Sequence, residues 1–278
     1  MRYIREVWAA RELLAFLTLR EVKGKYKRTI LGQLWSLANP LAAMLIYTLV
    51  FAFIIRVTPD PGNPSGLNIF ALWLLCGLLP WTFFSLVVNA GLASIVENAG
   101  LIQKVYFTRI VLPLSMVASV AFNWLFEMAV LLVALVICGS FIWPWIPLLL
   151  LIMVLLALFA TGAALLLSVA NVYFRDTQYL TTIVLQIWMY LTPIIYPGTL
   201  VDSLSRRVGG LAGTPITISD IYRLNPMEHF VAVFRQLLYD NRFPDGGELL
   251  TCAIWAIVMA VLGVVVFHRN ERKLAETL

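Results

Sequence analysis

Uncharged runs long enough to cross a bilayer recur along the whole chain. No charged residue lies between Arg28 and Arg56, between Asp60 and Glu97, between Asp176 and Asp202, or between Glu248 and Arg269. From Val111 to Phe174 the only charge is Glu127, and that stretch is long enough for two helices. Phe141-Ile142-Trp143-Pro144-Trp145-Ile146-Pro147 is the natural turn between them, because proline lacks a backbone donor and suits a helix's first turn. A spanning helix needs roughly 20 apolar residues, so the pattern predicts an all-α integral membrane fold with six transmembrane helices. Their predicted ranges are 33–57, 69–96, 111–140, 147–171, 178–197 and 249–268.

The segments outside the spans divide by pattern. In the first residues Ile4, Val7, Trp8, Leu14 and Leu17 recur roughly at helical spacing among charges. That predicts an amphipathic helix lying flat in the cytoplasmic interface, within a cytoplasmic segment 1–32 that ends in a basic stretch. The remainder, 33–278, is predicted as one transmembrane domain. Thr58 to Gly66 holds Pro and Gly at a density that forbids helix. Gly77 and Pro80 fall near the middle of the second span and predict a kink or an unwound turn there.

Between spans five and six, Asn225-Pro226 supplies an N-cap and a first-turn proline. Met227, Phe230, Val231, Phe234, Leu237 and Leu238 then follow helical spacing on one face. That helix is too short to span. It is expected either to rest on the outer membrane boundary or, the favoured reading, to dip in and return as an external re-entrant helical hairpin.

Composition agrees with the pattern: 61% of the 278 residues are hydrophobic and 13% charged, against about 25% charged in a soluble domain. The scattered charges of the N-terminus argue against a removable signal peptide. Lys and Arg concentrate before the first span, after the second, after the fourth and in the tail. Short basic flanks stay in the cytoplasm, so a multi-pass topology with both termini cytoplasmic is expected. The net charge of +5 is thereby assigned to juxtamembrane residues facing anionic lipid, not to a nucleic-acid surface.

Little in the chain suggests catalysis. There is no phosphate-binding Gly-x-x-x-x-Gly-Lys-Ser/Thr loop, and no Asp-rich pair to hold Mg²⁺ and a diphosphate. His229 and His268 are isolated, and Cys76, Cys138 and Cys252 are far apart within apolar runs, so no metal site or disulfide framework is expected.

Several signatures resemble those of the permease subunits of type-2 ABC exporters for O-antigen, teichoic acid and related polymers, the Wzm-like group. They are Arg20 to Trp35 (REVKGKYKRTILGQLW) with Pro40, Gly77 to Phe84 (GLLPWTFF), Asn171 to Asp176 (NVYFRD), Thr192 to Tyr196 (TPIIY), and Asn225-Pro226. Each is weak alone, but their order and spacing are specific. Within the group, overall similarity inclines toward the actinobacterial exporter of lipid-linked galactan.

The resemblance implies a homodimer around a central conduit for a lipid-linked glycan in the bacterial cytoplasmic (inner) membrane. Two copies of a separate cytoplasmic ABC ATPase would dock underneath, with ATP and Mg on that partner and no cofactor on this chain. It also implies a coupling helix after the second span, where Glu97, Asn98, Leu101, Ile102, Lys104, Val105, Tyr106 and Phe107 stand. These residues suit a docking surface for the ATPase, or else an anchor in the headgroup layer.

Arg20, Lys23, Lys25, Arg28, Arg175 and Asp176 would flank the cytoplasmic entrance, the plainer alternative being exposed interfacial salt bridging. Trp73, Trp81, Phe83, Phe84, Trp124, Trp188, Tyr190 and Tyr196 are candidate conduit aromatics, although Trp and Tyr gather at membrane interfaces in any membrane protein. Glu127 is the sole acid well inside a span and must face protein or water, as part of a structural polar cluster with Asn123 and Asn89 or on a wet substrate path. Three rival classes remain in view: a membrane glycosyl or prenyl transferase, an ABC exporter of drugs or small lipids, and an ion-coupled carrier using Glu127.

Overall fold

The computed structural model describes residues 9–25, 27, 29–30, 32–54, 56, 61–105, 107–208 and 217–277. All regular structure among them is helical: α1 (Arg11–Lys25), α2 (Trp35–Tyr47), α3 (Phe70–Glu97), α4 (Ala99–Lys104), α5 (Val111–Ile137), α6 (Ile146–Tyr173), α7 (Thr177–Leu191), α8 (Gly198–Val208), α9 (Ile218–Tyr222), α10 (Pro226–Leu238) and α11 (Gly246–Thr277). Short 3₁₀ turns precede α2 at Gly32–Leu34 and α6 at Trp143–Trp145, and α2 continues as a π-helical stretch, Thr48–Ile54.

Among the described residues, five helical stretches are long and apolar enough to cross a membrane: Gly32–Ile54, Phe70–Glu97, Val111–Ile137, Trp143–Tyr173 and Gly246–Glu271. The fifth expected span, 178–197, is shorter than the uncharged run suggested. Its helix α7 has 15 residues, a rise of about 22 Å. The reason is local: a residue before proline is pushed out of the helical region, and Thr192, preceding Pro193, is extended at φ −103° and ψ 133°. The last span instead overruns its expected end and continues as helix to Thr277.

Helix α3 is the centre of the fold. It packs against α5, α6, α7 and α10 and buries residues on every side, from Phe70 to Ile95. It runs as one helix from Phe70 to Glu97 with Pro80 inside it, so the turn expected at Gly77 and Pro80 is not unwound. Neighbouring protein, not lipid, surrounds that stretch. The outer members α2 and α11 are the least buried spans, and their Leu45, Ile46, Phe53, Ile257 and Val261 are exposed as a lipid solvent or a second membrane protein requires.

Helices α6 and α11 cross with backbones in contact. A Cβ on Gly162 would overlap the Met259 carbonyl, and one on Gly263 would lie 2.5 Å from the Gly162 carbonyl oxygen. Only glycine permits that approach, the usual way membrane helices gain contact when lipid tails are as apolar as leucine.

The N-terminal helix is not free on the headgroups. Helix α1 packs against α5, and Leu13, Leu14 and Leu17 join a second apolar cluster with Ile95, Ile102, Val111, Val169, Phe267 and Leu274. Its far end, Lys25, lines the same cavity as Asn123, which sits about 18 Å along α5 from Val111. So α1 climbs beside α5 where a flat interfacial helix was expected. Ile4, Val7, Trp8, Arg28 and Tyr106 lie outside the described residues.

Candidate functional site

The connection between α7 and α11 folds back into the helix bundle through α10. Helix α10 starts at the predicted cap, where Asn225 Oδ1 accepts from the Met227 N–H at 3.0 Å. Its predicted apolar face is buried, with Phe230, Val231, Phe234 and Leu237 at 0% exposure, and Val233, Arg235 and Gln236 are buried as well, against α3, α6 and α11. Phe234 meets Trp124 edge-on, with ring centroids 6.1 Å apart. Trp124 lies about 20 Å from the Ile137 end of α5, so α10 packs beside the middle of that span.

Two polar devices hold the hairpin. Asn225 also accepts from Trp188 Nε1 at 2.7 Å and donates to Thr192 Oγ1 at 2.9 Å, tying the start of α10 to the end of α7. Arg235, 9% exposed, donates to the carbonyls of Pro193 and Ile194 at 2.6 Å each and lies over the Trp73 ring, 3.6 Å from its centroid. Its guanidinium thus serves the carbonyls freed where α7 stops, and its flat face stacks on an indole. A Cβ on Gly77 would sit 3.0 Å from Arg235 Nη2, so the glycine in α3 makes room for this clamp.

Above the clamp, Tyr239 Oη donates to the Leu67 carbonyl and accepts from the Ile69 N–H. Burial holds the neighbouring Asp240 carboxyl above its ordinary range, against the pull of Arg242. On the hairpin's outer turn, hydrogen bonds from Thr217 hold Asp220 below its ordinary range.

The expected conduit aromatics fall into three places. Trp73, Trp81 and Phe84 are packed in the core: Phe84 stacks on Phe159 at 5.3 Å, and both Trp81 and Phe84 meet Trp188 edge-on. Phe83 and Trp124, stacked at 4.0 Å and 14°, line a cavity together with Glu127. Tyr190 is 54% exposed on α7, and Tyr196 joins Tyr222 through a hydroxyl pair at 3.0 Å.

That cavity, about 350 Å³, lies between α2, α3 and α5 and contains Asn39, Thr82, Asn123 and Glu127 in its wall. Glu127 is 5% exposed and Asn123 4%. Lys25, exposed at the end of α1, also borders it. Asn89 is turned to its own helix and donates to the Ser85 carbonyl.

On the opposite side, the turn from α3 into α4 and on to α5 is tied to both ends of the chain. Arg20, ion-paired with Glu21 at 2.6 Å, reaches Asn98 Oδ1 at 3.3 Å. The Arg109 N–H donates to Glu271 Oε1 at 2.7 Å, and the Arg109 side chain donates to the Glu271 carbonyl. Ile102 turns into the core and Leu101 and Phe107 pack against it, whereas Lys104 and Val105 face outward. Lys23, Arg175 and Asp176 are exposed.

Residues 12–239 match the profile of the ABC-2 type transporter family. The chain belongs to that family. It is 31% identical over 280 residues to an O-antigen export system permease protein of Myxococcus xanthus, covering all of both chains. A Klebsiella pneumoniae protein of the same description is 29% identical, with 96% of this chain and 95% of that one covered. The polysialic acid transport protein of Escherichia coli is 25% identical over 92% of each.

ABC-2 membrane subunits are not themselves ATPases, and this ABC-2 chain is a multi-pass membrane protein. Sequence reasoning assigned Arg235 no role and so missed the clamp. One signal was available: Arg235 follows Val231 by four residues, which puts it on the apolar face of α10. The backbone contact of Gly162 with α11 left no such trace.

Proposed function

We propose that this chain is the permease subunit of an ATP-driven exporter that moves polyprenyl-diphosphate-linked polysaccharide, of O-antigen, teichoic acid or galactan type, from the cytoplasmic to the outer leaflet of the bacterial inner membrane. Full-length similarity to export permeases of bacterial surface polysaccharides is the observation that carries this reading. Two copies of the chain form the conduit, and ATP hydrolysis belongs to a separate ATPase bound in two copies on the cytoplasmic side. Both termini lie on that side, following the basic flanks.

In this reading the α3–α4–α5 turn takes up the ATPase stroke. Its bonds to Arg20 and Glu271 pass the motion to α1 and α11 together, and Lys104 and Val105 are the surface the ATPase meets. At the other end the hairpin of α8 to α10 is the gate, anchored by Asn225 and Arg235.

Affinity purification of the chain from its own host in mild detergent tests the proposal. A phosphate-loop ATPase recovered in about equal amount, together with loss of surface polysaccharide when the chain is deleted, is the expected result. Recovery of the chain alone and transport-competent would overturn it.

A further inference from the structure

The cavity between α2, α3 and α5 has the chemistry of a site rather than of a packing defect. Defects in apolar interiors are lined by apolar atoms and stay dry, whereas this wall carries a carboxylate, amides and hydroxyls. An acid buried at mid-span is rare and faces either the protein interior or a water-filled path. Trp124 is 3% exposed, and among the described residues its Nε1–H has no hydrogen-bond partner, an arrangement native proteins seldom leave unexplained.

We propose that this cavity, within a single protomer, binds a short neutral glycosyl segment of the exported polymer. It is not a site for the diphosphate that joins glycan to lipid. The inference rests on the export reading.

Three features select that ligand. The half-exposed indole of Trp35 presents a flat apolar face to sugar C–H groups, and the Phe83–Trp124 stack forms part of the apolar wall. Glu127 accepts hydrogen bonds from hydroxyls, while the Trp124 N–H donates to hydroxyl or ring oxygens; Asn123 Nδ2 donates to the Ser119 carbonyl at 3.1 Å. The charges select against the alternatives: an ionised Glu127 in the wall disfavours a phosphate, and Lys25 at the rim disfavours a cation. A neutral, hydroxyl-rich molecule is what remains. At about 350 Å³ the space is at the small end of the roughly 300–1,000 Å³ typical of ligand pockets, which fits a short segment of polymer and not a whole lipid-linked chain.

The test uses the exporter purified with its ATPase in lipid nanodiscs. Di- to tetrasaccharides cut from the host's own surface polysaccharide are added, and binding is read by saturation-transfer difference NMR, with sodium pyrophosphate as competitor. Trp124→Phe keeps a smaller aromatic ring beside Phe83 and removes the N–H; Glu127→Gln keeps the shape and removes the charge. The expected result is a saccharide signal whose apparent affinity falls about fivefold in W124F and at least about threefold in E127Q, with no competition by pyrophosphate.

Thermal melts confirm that each variant is folded, and Asn123→Ala replaces W124F if the latter is not. An absent saccharide signal, a signal indifferent to these substitutions, or displacement by pyrophosphate would overturn the assignment. If a strain lacking the chain still displays its polysaccharide, the export reading falls. If display is lost and saccharide binding ignores the substitutions, only the cavity assignment falls.

Discussion

Trp188 and Asn225 stand 37 residues apart in the chain, yet the indole Nε1 donates to the amide oxygen at 2.7 Å. The same oxygen caps α10, and the same amide nitrogen holds Thr192. One side chain therefore closes the end of α7 and opens the hairpin helix.

Asn225→Ala should destabilise the protein by roughly 2–4 kcal/mol. About 1 kcal/mol comes from the lost cap, and the rest from leaving the half-buried Trp188 N–H without its acceptor. Asn225→Asp keeps the acceptor and loses the donations to Thr192 and to the Leu191 carbonyl, so it should fall between. Melting of the purified protein in detergent, followed by fluorescence, reads the series. An N225A melt equal to that of the wild type would mean the hairpin is held elsewhere.

Arg235 is a stronger case, because its guanidinium serves two carbonyls and an aromatic face at once. Arg235→Met fills most of the volume but leaves the Pro193 and Ile194 carbonyls unpaired, a cost of roughly 1–3 kcal/mol for each buried group. Arg235→Lys keeps the charge, yet an ammonium lacks the planar fork that spans both oxygens while stacking on Trp73. Both variants should melt earlier, with R235M the lower. Limited proteolysis should cut the Gly198 to Tyr222 region faster in both, and unchanged cleavage would show that the clamp does not hold the hairpin.

The spans were legible because a bilayer imposes length and the absence of charge, and both are written one residue at a time. The turn at Trp143-Pro144-Trp145 and the cap at Asn225 were legible for the same reason: proline and asparagine act locally. The early end of α7 was written at Pro193 but masked by the apolar Ile194 and Ile195 beyond it. The burial of Trp81 and Phe84, and the place of Phe83 and Trp124 beside Glu127, depend on which helix faces which, and in an all-apolar span periodicity carries almost no record of that. The unbroken α3 shows the same limit. Pro80 and Gly77 argue for a break by local rules, but protein packed on every side of the helix overrides them.

Gly162→Leu should prevent assembly. The added side chain has nowhere to go except into the Met259 backbone, which separates α6 from α11 along their crossing. Very little folded protein should be recovered from membranes. Gly100→Ala is the control, since a Cβ there meets nothing within 4 Å and helix propensity favours alanine by up to about 1 kcal/mol. Equal yields for the two variants would refute the backbone contact between α6 and α11.

Residues Ile102 and Val105 separate folding from docking on one short segment. Ile102 is 7% exposed within the cluster that joins α1, α5 and α11, whereas Val105 is 53% exposed. Ile102→Asp buries a carboxylate with no partner of opposite charge supplied, which costs several kcal/mol, so it should lower the melting temperature and the yield. Val105→Asp changes only the outer surface and should melt like the wild type. If this surface seats the ATPase, V105D should nonetheless recover several-fold less of the partner on affinity purification, because a charge placed in the apolar centre of an interface is left desolvated. The two readouts must part: a V105D protein that folds normally and retains its full complement of ATPase would move the docking surface away from α4.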